Sequence, residues 1–277
     1  MNHVNLRIRC AAVLVSASVC ALSLRAAPDA ATTTATQPGV YRAMRAATQP
    51  VIDGKIDDEA WRSAEVIEAF VDLAGRADHP PRLQTRCRMM WDDQHLYVAA
   101  ELSDPDVWGT LTAHDDPLFR EDAFELFLDP DNDRKNYAEL QINPLGTTWD
   151  LKMSRPYREK GKADSAWEIA GLKSSVHVDG SLNDASDTDQ GWSVELAIPW
   201  NALDGLTDGI ARTGGEQFRL NFVRVDWPDG APGGLAKDSQ QKPAYWAWLS
   251  AGQMNTHVPE TWGRVMFITP TTGKVAP

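Results

Sequence analysis

The feature that most constrains the fold is a two-residue alternation of side chains that returns in one segment after another beyond residue 84. Leu96, Val98, Ala100 and Leu102 alternate with His95, Tyr97, Ala99 and Glu101. Phe124, Leu126 and Leu128 alternate with Ala123, Glu125 and Phe127, and Ala138, Leu140 and Ile142 with Tyr137, Glu139, Gln141 and Asn143. The same period runs through residues 192–198 and 218–222. Successive side chains of a strand point to opposite faces, so each segment reads as a strand with one face in a core and the other turned outward. Turn-forming clusters separate them, at Trp91-Asp92-Asp93-Gln94, Asp129-Pro130-Asp131-Asn132, Asn143-Pro144-Leu145-Gly146 and Asp179-Gly180. Helical spacing is confined to residues 57–64 and a single turn at 199–203. Many strands with short turns predict an all-β fold, an antiparallel β-sandwich with one or two short helices.

The chain is 277 residues long with 43% hydrophobic and 24% charged side chains, which is ample for a core and excludes a disordered polymer or a disulfide-stapled miniprotein. Its formal net charge of -12 argues against nucleic acid, whose phosphates require a basic stripe. Eleven Trp against five Tyr and seven Phe is an excess that suits flat surfaces for a ring-shaped ligand, or a Trp-rich core.

Residues 1–27 read as a secretory signal peptide, with Arg7 and Arg9 ahead of a small apolar run that is too short to span a bilayer. Cleavage near Ala26 or Ala27 predicts a secreted or periplasmic protein. It removes Cys10 and Cys20 and leaves Cys87 alone, so no internal disulfide can form and stability must come from the core or from bound ions. Residues 28–39 read as a flexible linker, 40–270 as the folded domain and 271–277 as a tail, with no transmembrane segment.

Period-two phasing sets Glu125, Glu139, Gln141, Asn143 and Glu195 opposite the core residues of their strands. Were these strands neighbours, they would build one polar face that also carries Tyr97, Phe127 and Tyr137. That face is either a solvated sheet surface or a concave ligand surface, and phasing alone leaves both open.

Five stretches, in order, resemble one family. They are Val51-Ile52-Asp53-Gly54-Lys55-Ile56-Asp57-Asp58-Glu59-Ala60-Trp61, then Trp91-Asp92-Asp93-Gln94-His95-Leu96-Tyr97-Val98, then Glu121-Asp122-Ala123-Phe124-Glu125-Leu126-Phe127-Leu128-Asp129-Pro130. Gly191-Trp192-Ser193-Val194-Glu195-Leu196-Ala197-Ile198-Pro199-Trp200 and His257-Val258-Pro259-Glu260-Thr261-Trp262-Gly263 complete the set. Over roughly residues 40–270 the chain is similar to carbohydrate-binding module family 9-like domains, of the wider DOMON-like β-sandwich group. The resemblance implies a jelly-roll-like sandwich that binds sugars outside the cell. In well-understood members a terminal sugar lies between two Trp rings, charged side chains bond its hydroxyls, and calcium ions support loops. Those modules are appended to xylanases, whereas this chain looks more like the stand-alone exported branch, so the fold transfers and the ligand does not.

A pyranose offers an apolar C–H face to an aromatic ring and a rim of hydroxyls to polar side chains. Trp108 and Trp227 fall on loops and are the expected stacking platforms, whereas Trp61, Trp192 and Trp200, and by its phase with Leu151 and Met153 also Trp149, are expected in the core; Trp246, Trp248 and Trp262 stay undecided. Asp115, Arg120, Glu121, Glu125, Glu139, Asn143 and Glu195 are the candidate hydroxyl partners, and Asp115, Arg120 and Glu121 could equally serve a turn and a surface ion pair. The long Gly- and Pro-rich stretch from 226 to 245 could cover a ligand face. Calcium, which needs six to eight oxygens, finds candidates in Asp129, Asp131 and Asp133 and in the run Asn183-Asp184-Ala185-Ser186-Asp187-Thr188-Asp189. Zinc is not favoured, with one Cys after cleavage and no His-Glu-x-x-His spacing.

The expected function is therefore that of an exported, non-catalytic carbohydrate-binding protein. Two rivals come from other classes. A glycoside hydrolase would pair two of Glu125, Glu139 and Glu195 across a cleft. A b-type haem domain would need Met89, Met90, Lys152, Met153 or His177 as axial ligands, and haem is the less favoured cofactor. A protein partner is left open.

Overall fold

The computed structural model describes residues 39–207, 217–227 and 242–269. Its strands, in chain order, are β1 (Val40–Arg45), β2 (Val71–Asp72), β3 (Thr85–Trp91), β4 (His95–Ser103), β5 (Ala123–Asp129), β6 (Tyr137–Ile142), β7 (Thr148–Met153), β8 (Ala163–Asp164), β9 (Lys173–Asp179), β10 (Gly191–Pro199), β11 (Gln217–Asp226), β12 (Ala244–Ala247) and β13 (Gly263–Ile268). The alternating segments thus form strands as expected, and the two helical stretches are short 3-10 turns at Glu59–Ser63 and Trp200–Leu206. The segments expected to be a signal peptide, a linker (all but Gly39) and a tail lie outside the described residues, as does the greater part of the 226–245 stretch. No described helix is long and apolar enough to cross a membrane.

The strands hydrogen-bond in the order β8-β7-β6-β5-β11-β13-β1-β3-β4-β10-β9, with β12 and β2 extending from the second half of β11. The sheet curls on itself as a β-sandwich. Met89, Val98 and Leu196 from one layer pack with Phe124, Leu140 and Phe222 from the other in one buried cluster. Phe124 stacks on Phe222 with ring centroids 5.4 Å apart. One departure from the antiparallel expectation is β1, which pairs in parallel with both β13 and β3, so the sheet is mixed.

A second departure concerns the outward faces. β5 and β6 are buried along their whole length, on both faces. Leu73, Ala251, Val258 and Trp262 cover the second face and pack there with Phe127, Tyr137, Leu151 and Met153. Leu73 donates its backbone N–H to Tyr245 and accepts one from Ala251, which ties the covering segments to β12 and to each other. The polar residues of β5 and β6 are therefore enclosed instead of solvated.

The opening stretch with Gly54 is a clasp over the outer side of β10. Glu195 Oε2 accepts the backbone N–H groups of Asp53 at 3.0 Å and Gly54 at 2.9 Å, and Oε1 accepts Trp61 Nε1–H at 2.7 Å. Gly54 has φ +88°, and a Cβ there would lie 2.6 Å from the backbone carbon of Val176. Only glycine fits both constraints.

Candidate functional site

Strand register builds the site. Glu125 of β5 lies opposite Gln141 of β6, and Gln141 lies opposite Trp149 of β7. The three side chains form one row across three neighbouring strands, on the face away from the main core. In the next row, Leu151, Glu139 and Phe127 stand side by side. Glu125 and Glu139 are thus diagonal neighbours, a relation that places Cβ atoms roughly 7 Å apart.

The polar groups in these rows are buried and incompletely paired. Gln141 Nε2 donates to Glu139 Oε1 at 2.7 Å, and Gln141 Oε1 is buried with no hydrogen-bond partner. Glu139 Oε2 lies 3.5 Å from His257 Nε2, and the other ring nitrogen of His257 lies 3.0 Å from the Tyr137 hydroxyl. Glu125 is 2% exposed and makes no hydrogen bond or ion pair with any described residue. Burial pushes the Glu139 carboxyl up to about 7, and burial reinforced by the charge of Glu139 holds Glu125 well above the usual carboxylate range. Burial lowers His257 to about 4, so its imidazole is neutral at physiological pH.

Aromatic side chains frame the row. Phe119, in a 3-10 turn just before β5, is exposed and lies 5.7 Å from Trp149, tilted by 37°. Trp149, Trp227 and Tyr245 are half-buried and pack around Leu118, Ala123 and Val225. The N–H of Trp227 donates to Asp122 Oδ1 at 2.8 Å, which fixes the residue at the end of β11. At the other end Tyr157, half exposed, packs edge-on against His257 at 4.7 Å.

Several expected partners stand elsewhere. Glu195 is on β10 and is consumed by the Gly54 clasp; Tyr97 belongs to that same cluster with Trp61. Asn143 gives Nδ2 to Leu111 and Glu121 and accepts Leu145 and Thr147 through Oδ1, so it closes the β6–β7 turn with every polar atom in use. Trp108 sits between Val107 and Gly109, whose N–H groups are held by Asp189 and Asn183, and it contacts none of Glu125, Gln141 or Trp149 through hydrogen bonds or rings. Arg120 is exposed beside the Phe119 ring, 6.0 Å from its centroid. Trp149 has the phase expected of it, but that phase faces the site and not the main core. Trp246, Trp248 and Trp262 are buried with Trp61, Trp192 and Trp200. Met89, Met90 and Met153 fall into three separate clusters.

Carboxylates converge at three places among the described residues. Asp129, Asp131 and Asp133 bring one oxygen each to within 4.8 Å of one another. Asp129 is fully buried; its Oδ2 accepts Arg134 N–H at 2.9 Å while Oδ1 has no hydrogen-bond partner, and the neighbouring Asn132 Oδ1 is likewise unpaired. Burial and the adjoining Asp131 raise the Asp129 carboxyl to about 7. His114, Asp115, Asp150 and Glu168 form a second group, assembled from segments that sequence reading did not connect. Asp104, Asp122 and Asp226 form a third, where Arg224, fully buried, pairs with Asp104 at 3.0 Å and Asp226 at 2.8 Å. In the 183–189 run, Asp189 accepts Val107 and Ser181 N–H groups, which is turn chemistry.

The family model described as carbohydrate family 9 binding domain-like matches residues 52–229. Exoglucanase XynX from Acetivibrio thermocellus is 29% identical over 161 residues, which is 58% of this chain and 12% of that protein. The chain therefore matches one small part of a much longer enzyme. A family 9 carbohydrate-binding module from Caldicellulosiruptor kristjanssonii in complex with cellotriose shares the fold with a TM-score of 0.55 at 18% identity, over 86% of this chain and 98% of that one. A module from the same organism in complex with glucose gives a TM-score of 0.53 at 18% identity, over 85% of this chain and 100% of that one. The matched stretch, from the Gly54 clasp to just beyond Trp227, is more than half of the chain, and the chain belongs to the carbohydrate-binding module family 9-like domains.

Proposed function

We propose that this protein is an exported, non-catalytic module that binds a sugar or polysaccharide on the Glu125–Gln141–Trp149 row. The observation that carries this reading is a row of buried, underpaired acceptors bordered by half-exposed aromatic rings. Phe119 and Trp149 stack on the apolar face of the sugar, with Trp227 and Tyr245 beside them, and Glu125, Glu139 and Gln141 exchange hydrogen bonds with its hydroxyls. Unpaired buried acceptors cost free energy until a ligand supplies donors, which is how a binding site stores selectivity. The relatives bound to cellotriose and glucose make β-glucans the first ligands to try. A glycan and polysaccharide screen tests the reading. Binding to one sugar class is the expected result, and silence from a folded sample across plant, algal and host glycans contradicts it.

Export by the leader at 1–27 and a calcium ion at Asp129, Asp131 and Asp133 belong to the same proposal. The donor set fits a hard cation, since every group offered is an oxygen and Asp129 Oδ1 is buried and unpaired. Calcium would be structural there, replacing the missing donor and drawing the 129–136 turn together.

A hydrolytic reading draws on Glu125 and Glu139, both buried with raised carboxyls. The two are diagonal neighbours on adjacent strands of one face, so a hydrolase would need the scissile bond to lie between their carboxyl groups. Release of reducing ends that disappears in both Glu125→Gln and Glu139→Gln would establish it.

A further inference from the structure

We propose that His114, Asp115, Asp150 and Glu168 form a binding site for a zinc ion. The four side chains take no part in the acceptor row or in the Asp129 turn, and the inference stands whether or not a sugar binds.

Three segments build the site. His114 and Asp115 come from the stretch just before the Phe119 turn, Asp150 from β7, and Glu168 from the stretch between β8 and β9. One imidazole nitrogen and three carboxylate oxygens lie within 4.8 Å of one another. From His114 Nε2 the distances are 2.9 Å to Glu168 Oε2, 3.6 Å to Asp115 Oδ1 and 3.7 Å to Asp150 Oδ1. Donors on a tetrahedral zinc, with bonds of about 2.0–2.2 Å, stand about 3.3–3.6 Å apart, so small side-chain shifts bring all four onto one ion.

A plain ion pair does not account for this convergence. His114 Nε2 carries at most one hydrogen, and Glu168 Oε2 is the oxygen within hydrogen-bond distance of it. Asp115 Oδ1 is then left buried without a hydrogen-bond partner. Asp150 is 2% exposed; its Oδ2 accepts the Ile169 N–H at 2.5 Å, while Oδ1 is aimed at the same His114 nitrogen and makes no hydrogen bond with any described residue. Among the described residues no Lys or Arg forms an ion pair with Asp115, Asp150 or Glu168. Three carboxylates thus face one imidazole, and a metal ion in place of the single hydrogen bonds all four donors at once. The second ring nitrogen of His114 lies 3.2 Å from Thr148 Oγ1, the kind of outer contact that orients a ligating imidazole. The nitrogen donor is what favours zinc over calcium, which takes six to eight oxygens.

Calorimetric titration of tag-free, chelator-treated protein with zinc chloride tests this. One zinc should bind per chain, and equimolar calcium should not displace it. Affinity should fall about a hundredfold or more in His114→Ala and in Glu168→Gln, because a group that merely orients a metal-bound imidazole is already worth about 10–100-fold. It should be unchanged in Asp129→Asn. His114 and Glu168 are both exposed, so these variants keep the fold. Zinc uptake that survives both variants, that depends on Asp129 or that equimolar calcium displaces overturns the site, as does the absence of uptake. None of these results bears on the sugar-binding reading, which the glycan screen tests separately.

Discussion

Gln141 gives its side-chain amide to Glu139 two residues earlier on the same strand, at 2.7 Å, and its own carbonyl oxygen remains buried and unpaired. This contact turns one amide N–H of Gln141 along its own strand, while Glu125, across the pair, has no hydrogen bond to any described residue. A fold that encloses such a group without satisfying it gives up stability, and the usual return is function.

Glu195 belongs to the scaffold. Replacing it with Ala strands two backbone N–H groups and the indole N–H of Trp61 in a buried clasp. Glu195→Ala should lose roughly 3 kcal/mol or more of stability, since each buried donor left unpaired costs about 1–3 kcal/mol. Urea unfolding gives the stability, and a variant as stable as the parent would contradict the clasp.

The buried carboxyls give stability a definite pH sign. Glu139 has its folded-state value pushed up to about 7, above the ordinary Glu value of 4.5. Between those values the folded state holds a proton that the unfolded state has lost, so this group's contribution is full in acid and is lost as pH rises through about 7. His257, lowered to about 4 from 6.5, opposes it, because the unfolded imidazole binds a proton first as pH falls. The comparison of parent with Glu139→Gln isolates the carboxyl. As pH falls from 7 to 4.5 the parent should gain melting temperature relative to the variant, and parallel curves would contradict the burial of Glu139.

Calcium should act through the 129–136 turn. At a hundredfold excess over its dissociation constant, an ion that binds only the folded state adds about 2.7 kcal/mol. Calcium should raise Tm in the parent, chelator should reverse it, and Asp129→Asn should abolish the difference. Identical melts with calcium and with chelator would remove the ion from this site.

What could be read from sequence divides along physical lines. The strands and their facing were legible because period two is a local property: Glu125, Glu139 and Gln141 do share a face. Pairing between strands is not local. Glu195 has the same phase on β10, yet that strand lies in the other layer, beneath the clasp. Burial of the polar face was also hidden, because the covering residues Leu73, Ala251 and Val258 come from segments without periodicity. Phe119 sits in a 3-10 turn within a charged stretch and carries no repeating signal, so nothing in the sequence marks it. The Asp129–Asp131–Asp133 group is contiguous and visible in sequence; the His114 group is drawn from distant segments and is not.

The central claim is that sugar binds at the Phe119–Trp149 end of the buried acceptor row. Titration of the parent, Phe119→Ala, Trp149→Ala and Trp108→Ala with a glycan from the screen tests it most directly. Each of the first two should lose about 1–3 kcal/mol of binding free energy, the range of an aromatic hot spot, while Trp108→Ala keeps the parent's affinity. Loss confined to Trp108→Ala, with Phe119→Ala and Trp149→Ala binding as the parent does, would move the site to the 104–111 loop and contradict the account.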